Sequence, residues 1–148
     1  MKKLFSIVLF LSIMVSACAQ KPSKDEGPSL FDRLGGTEGI SMIIDDMVDI
    51  HMKNPAINAR FLPDKGTEKL EVTKQHVKDF LSAGSGGPAE YKGRDLVTAH
   101  KGMNIQPEEF VHATDDLMIA LDKNNIDEAT KKDVLFILWG LKSSVIGK

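Results

Sequence analysis

The chain has 148 residues and a formal net charge of −2 at pH 7, so a single domain is expected. No cluster of basic residues is dense enough to form the patch that nucleic acids require, which excludes nucleic acid as a partner. A single cysteine excludes an intramolecular disulfide and a metal cluster held by cysteines.

The first seventeen residues have the pattern of a secretory leader. A cationic start precedes an apolar run from Leu4 to Val15 that is too short to span a bilayer. Cys18 follows small residues directly, so the segment resembles a bacterial lipoprotein signal, in which the cysteine is lipidated. The alternative is an ordinary signal peptide that happens to contain a cysteine. If the segment is a lipoprotein signal, residues 1–17 are cleaved off and the formal charge of the chain moves from −2 to −4. The exported protein is then anchored to a bacterial membrane through lipid on Cys18, facing the periplasm or cell envelope.

Residues 18–28 are predicted to be the lipidated cysteine and a polar tether, because the segment holds two prolines and no apolar anchor. Residues 29–148 are predicted to fold as an all-α domain, since no segment alternates as a strand does. Capping and breaking residues predict its helices in chain order: Leu30–Leu34 after Ser29, a second after Thr37, a turn over 55–61, a third after Thr67, a short one around Leu96–Met103, a fifth from Gln106 and a last one after Asp127.

The last predicted helix is apolar on most sides near its middle, so it is expected to lie at the centre of the domain. The side chains behind this expectation are Val134, Phe136, Ile137, Leu138, Trp139, Leu141 and Val145.

One histidine, His100, lies on the short helix that glycines bracket. A neutral imidazole on an apolar wall is typical of an axial haem ligand. The alternative is a core histidine whose ring is satisfied by the protein. His51 and His112 have no partner at helical spacing and are expected at the surface or at its boundary, and the Asp115-Asp116 pair is expected on a solvated helix face.

Several motifs occur together in a fixed order: Leu30-Phe31-Asp32-Arg33-Leu34-Gly35-Gly36, Phe80-Leu81 with Gly86-Gly87, Tyr91-Lys92-Gly93-Arg94, and Ala99-His100-Lys101. In this order and at these intervals they resemble the group 1 truncated haemoglobins, whose helices enclose haem in a two-over-two sandwich. The resemblance extends from Leu30 to the last helix. It implies the same truncated globin fold for residues 29–148.

The resemblance also implies roles for individual residues. His100 takes the place of the proximal iron ligand, and Phe61 that of the aromatic residue beside the haem. Phe80 and Leu81 take the place of residues that touch the haem from the distal helix. Met103, one turn after His100, is expected at the haem edge.

The distal side departs from the family pattern. Val48 stands where many members have a tyrosine that donates a hydrogen bond to bound oxygen, and Thr73 and Val77 stand where glutamines often assist. His76 is the remaining distal candidate. It is either a second, internal iron ligand or an exposed residue at the pocket rim, in which case the iron is five-coordinate.

The expected cofactor is noncovalent haem b, because the sequence has no Cys-x-x-Cys-His motif for thioether attachment. The expected function is binding of oxygen or another diatomic gas at the iron, in ligand binding, nitric oxide handling or electron transfer with an unidentified electron donor. The alternative is a globin-fold binding module tethered to the membrane, with weak or no haem.

Overall fold

A computed structural model describes residues 27–148 of the chain. The predicted leader, 1–17, and most of the predicted tether, 18–28, lie outside the described residues. Within them, the helices are α1 (Leu30–Arg33), α2 (Gly36–His51), α3 (Glu68–Gly84), α4 (Leu96–His100), α5 (Pro107–Lys123) and α6 (Glu128–Leu141). Short 3₁₀ turns cover Asn58–Arg60, Leu62–Asp64 and Lys142–Ser144.

The all-α prediction is confirmed. In residues 27–148, β character is limited to one isolated bridge between Ile105 and Ile146. No helix in this part of the chain has both the length and the hydropathy needed to cross a bilayer.

Three predicted N-caps are correct. The side chains of Ser29, Thr67 and Asp127 accept backbone hydrogen bonds at the starts of α1, α3 and α6, respectively. The predicted start of the second helix is wrong. α2 begins at Gly36, ahead of Thr37, because Gly35 takes a left-handed conformation at φ 83° and acts as the N-cap without a side chain.

Glycine is also required inside α2, where α1 folds back onto it. A Cβ atom at position 39 would lie 2.1 Å from the carbonyl oxygen of Leu34, which is far inside van der Waals contact. Gly39 is itself buried in the core. The sharp connection between α1 and α2 therefore depends on the absence of a side chain at this position.

The core lies between two pairs of helices. α2 packs against both α3 and α5, and α5 packs against α6, so α2 and α3 form one layer and α5 and α6 the other. This is the predicted two-over-two arrangement. The buried cluster between the layers contains Leu34, Ile40, Ile43, Ile44, Leu117, Ala120, Leu121 and Val134.

The predicted central position of the last helix is wrong. Within α6 only Thr130 and Val134 are buried, whereas Phe136 and Trp139 are exposed. α6 packs on α5 and on α1, and Leu135, Phe136, Ile137 and Trp139 remain more than a third exposed. The apolar middle of α6 is therefore only partly covered by the residues that the structure describes.

α1 is docked on the end of α3 by a second close approach. The backbone nitrogen of Phe31 donates to the carbonyl oxygen of Ser85 over 3.0 Å. A Cβ atom at position 87 would lie 2.3 Å from the Phe31 ring, and Gly86 adopts a positive φ of 90°. These glycines start the irregular segment that leads to α4 and its histidine.

Candidate functional site

His100 is positioned by a helix of only five residues. The carboxylate of Asp95 caps α4 by accepting a hydrogen bond from the backbone nitrogen of Thr98 over 2.9 Å. At the other end, His100 Nδ1 lies 2.8 Å from the carbonyl oxygen of Leu96. A carbonyl can only accept, so Nδ1 carries the hydrogen and donates it.

This hydrogen bond defines what the other ring nitrogen can do. With the proton of the neutral imidazole on Nδ1, the lone pair of Nε2 is available for a metal. His100 is half-buried, so it is not the core histidine of the alternative interpretation. Val97 and Met103, on either side of it in the chain, are exposed apolar residues. A half-buried imidazole on the same short segment as two exposed apolar side chains suits a flat, mostly apolar cofactor that carries a metal.

A tyrosine connects α3 to the segment before α4. The ring of Tyr91 meets those of His76 and Phe80 edge-on, with centroids 6.2 Å and 5.2 Å apart. The Tyr91 hydroxyl donates to the carbonyl oxygen of Arg94 over 2.6 Å. His76 is exposed, and no hydrogen bond to another described residue fixes its ring. The structure therefore places His76 beside the segment that carries His100.

The other predicted site residues on α2 and α3 differ in burial. Val48 is buried, whereas Val77 and Leu81 are partly buried against the core cluster. Thr73 is exposed and donates its hydroxyl hydrogen to the carbonyl oxygen of Lys69, four residues earlier, over 2.9 Å. That hydroxyl is thus engaged within its own helix.

Phe61 is half-buried and packs on the ring of His51. The predicted surface position of His51 is wrong. His51 was expected at the surface or its boundary, but only 3 % of it is exposed. Its ring lies 4.8 Å from that of Phe61 between centroids. Its Nδ1 is 2.8 Å from a carboxylate oxygen of Asp116, which is 4 % exposed rather than solvated as predicted. The prediction that His112 is a surface residue is correct.

The buried His51–Asp116 pair joins α2 to α5. Asn54 adds to it, since its side-chain nitrogen lies 3.0 Å and 3.1 Å from the two carboxylate oxygens. Burial lowers the pKa of His51, and the effect outweighs the opposing influence of Asp116. The neutral imidazole then donates through Nδ1 to the carboxylate. A search for partners at helical spacing cannot find this pair, because the two residues lie 65 positions apart.

A second ion pair holds the turn that carries Phe61. Arg60 binds both carboxylate oxygens of Glu109, at 2.5 Å and 2.7 Å, and donates to the carbonyl oxygen of Met103 over 3.0 Å. The guanidinium lowers the pKa of Glu109 to about 2, with help from the backbone nitrogen of Gln106. We call this set of contacts the Arg60 clamp. It fixes the residue before Phe61 to a residue three positions after His100.

The comparison with protein families finds a match over residues 29–146 to the family described as bacterial-like globin. Among curated proteins, the group 1 truncated hemoglobin of Tetrahymena pyriformis is 26 % identical over 120 residues, which are 81 % of this chain and 96 % of the relative. That of Chlamydomonas moewusii is 34 % identical over 88 residues, covering 60 % of this chain and 49 % of the relative.

Solved structures agree on the fold. The crystal structure of the Tetrahymena pyriformis truncated hemoglobin in its Fe(III) form superposes with a TM-score of 0.74 at 22 % identity, covering 82 % of this chain and 100 % of that chain. The 2/2 hemoglobin from Synechococcus sp. PCC 7002 gives a TM-score of 0.67 at 22 % identity, over 75 % and 90 % of the two chains. The Tetrahymena pyriformis structure is matched over its whole length, so the described part of this chain has the same fold as that chain.

Proposed function

Because this chain belongs to the bacterial-like globin family, we propose that it binds one haem b noncovalently and, through the haem iron, diatomic gas ligands. Bound haem would supply an iron centre with a coordination position for a small gas. The observation that carries the proposal is the hydrogen bond from His100 Nδ1 to Leu96, because it leaves Nε2 free to hold the iron. Val97 and Met103 offer the apolar surface that a porphyrin covers.

The distal residues set what kind of gas chemistry is favoured. Val48 and Val77 have no hydrogen-bonding side chain, and the Thr73 hydroxyl is engaged with Lys69. A buried hydrogen bond to a polar ligand contributes on the order of 1–3 kcal/mol, so its absence speeds oxygen dissociation by about ten- to a hundredfold. These residues therefore support ligand sensing, nitric oxide handling or electron transfer over tight oxygen storage.

The experiment that tests haem binding is the optical spectrum of the protein lacking residues 1–18, after addition of haemin. We expect a sharp Soret band that shifts on reduction with dithionite and again on addition of carbon monoxide. A folded protein that stays colourless and ignores haemin would support the other function considered, a tethered binding module without haem.

We further propose that His76 is a second, reversible iron ligand. Its exposed ring is held only by the edge of Tyr91, so it can turn without breaking a hydrogen bond to another described residue. Replacement of His76 with alanine should convert the resting ferric spectrum from a low-spin, six-coordinate form to a high-spin form. Haem binding itself should persist, because His100 is unchanged. Optical and electron paramagnetic resonance spectra of both oxidation states check this.

Gln75→Ala is the matched control, since it alters the exposed neighbouring position on α3 and should leave the spectrum as it is. An identical resting spectrum in wild type and His76→Ala would mean that His76 does not bind the iron.

The location is also a proposal. The sequence before residue 27 supports lipidation of Cys18, and with it attachment to a bacterial membrane facing the periplasm or cell envelope. In that location an electron donor would have to act from the same compartment. Incorporation of a labelled fatty acid, lost in Cys18→Ser, tests the anchor.

A further inference from the structure

Tyr91 is fixed in place by two contacts within its own segment. Its hydroxyl donates to the carbonyl oxygen of Arg94 over 2.6 Å, and its ring folds over the backbone of Gly93. A Cβ atom at position 93 would lie 2.6 Å from Cε2 of the ring and closer still to Cζ and the hydroxyl oxygen. The φ angle of Gly93 is not positive, so this glycine is needed for the ring and not for a left-handed turn.

The fixed ring lies against two side chains of α3. It meets Phe80 and His76 edge-on, with centroids 5.2 Å and 6.2 Å apart. Phe80 is half-buried, whereas His76 is exposed and has no hydrogen bond to another residue in 27–148. The His76 ring thus rests on an aromatic ring that cannot move with it, because Arg94 and Gly93 hold that ring.

We propose that Tyr91 is a positioning residue that sets how strongly His76 competes with gases for the iron. The inference rests on the proposed function, in which His76 is a reversible iron ligand. The contact with Tyr91 stabilises the displaced position of the His76 ring and is given up when the ring turns to the iron. An edge-on aromatic pair is strong enough to change such an equilibrium about two- to tenfold.

The consequence is a higher affinity for gases. A gas binds only to the fraction of the protein in which His76 has left the iron, so the apparent affinity scales with that fraction. By favouring the displaced position, Tyr91 increases the fraction that is open to gas. A purely structural role for Tyr91 would change stability or haem retention and leave the His76 equilibrium as it is.

The test compares three variants with wild type, all loaded with haem. Tyr91→Leu removes the ring, Tyr91→Phe keeps it, and Gly93→Ala displaces it while the tyrosine is still present. The equilibrium constant for His76 on the iron is obtained from carbon monoxide association at increasing gas concentration and from the low-spin fraction of the resting spectrum. We expect Tyr91→Leu and Gly93→Ala each to raise it about two- to tenfold, and Tyr91→Phe to stay close to wild type.

Double variants show whether the effect passes through the ring and through His76. Gly93→Ala combined with Tyr91→Leu should match Tyr91→Leu alone, because the glycine acts only through the ring. In a His76→Ala background, Tyr91→Leu should leave carbon monoxide association unchanged. Lys92→Ala, at the exposed position between the two, is the matched control. Circular dichroism checks that each variant is folded.

The displaced position can also be observed directly. The ferrous carbon monoxide form is diamagnetic and its iron is occupied by the gas, so nuclear Overhauser effects should connect the rings of His76 and Tyr91, and they should vanish in Gly93→Ala. Identical resting spectra of wild type and His76→Ala would remove the ligand role of His76, and this inference with it. If His76 does bind the iron, an unchanged equilibrium in Tyr91→Leu, an effect that persists in His76→Ala, or absent ring-to-ring effects would overturn this inference alone.

Discussion

Replacement of His100 with alanine is expected to abolish stable haem binding while the helices remain folded. The Nδ1 hydrogen of this imidazole is engaged by Leu96, which leaves its Nε2 lone pair available for iron. The short helix α4 should survive, since Asp95 caps it and alanine favours helices. The measurement is a haemin titration followed at the Soret band, with circular dichroism to confirm helix content.

Two further samples make this experiment decisive. His112→Ala removes an exposed histidine on α5 and should titrate as wild type does. Soluble imidazole added to His100→Ala should restore part of the Soret band, because it replaces the lost ligand in the vacated space. A His100→Ala protein with an unchanged haem spectrum would show that another residue holds the iron, and the proposed function would then need a different site.

Replacement of Asp116 with alanine is expected to destabilise the domain by about 3 kcal/mol, which corresponds to a fall in thermal midpoint of about 10 °C. The variant leaves the Nδ1–H of His51 and the amide of Asn54 without their acceptor in a buried place. Urea unfolding followed by circular dichroism measures the loss. Asp115→Ala, at the exposed neighbouring position, should change stability by less than about 0.5 kcal/mol.

The same pair gives a pH dependence with a defined sign. The pKa of His51 is lowered in the folded chain from its usual 6.5, so the unfolded chain binds a proton more readily. The contribution of His51 to the free energy of unfolding is therefore complete above pH 6.5 and declines as the pH falls below that value. Loss of Asp116, which partly offsets the effect of burial, should make this decline steeper. Equal stability of Asp116→Ala and Asp115→Ala would contradict the assigned role of the pair.

Local chemistry explains which parts of the fold could be predicted. Ser29, Thr67 and Asp127 were identified as caps because each forms its hydrogen bond within three residues along the chain. The start of α2 was mispredicted because a left-handed glycine, Gly35, can cap without the side-chain signature that Thr37 offers. The presence of the helices follows from sequence patterns, whereas this boundary depends on backbone conformation.

The wrong predictions for His51, Asp116 and α6 arose because their burial depends on contacts between residues that are distant in the sequence. His51 carries no local sign of burial, because its partner Asp116 lies on another helix. The apolar middle of α6 indicates that its faces avoid water, but composition does not say whether the domain or another surface covers each face. The assignments of Val48, Phe61, Thr73, Val77, Phe80, Leu81 and Met103 to a haem pocket stay predictions that spectra of variants can test.

The Arg60 clamp bears on how the protein acquires its cofactor. By tying the turn before Phe61 to Met103 and Glu109, it holds two of the proposed pocket walls at a set separation in the protein alone. Haemin would then bind a pocket whose walls at Phe61 and Met103 are already in place. Its binding would therefore require little rearrangement of the loop after α4. Such preorganisation would lower the cost of ordering the site when haemin binds.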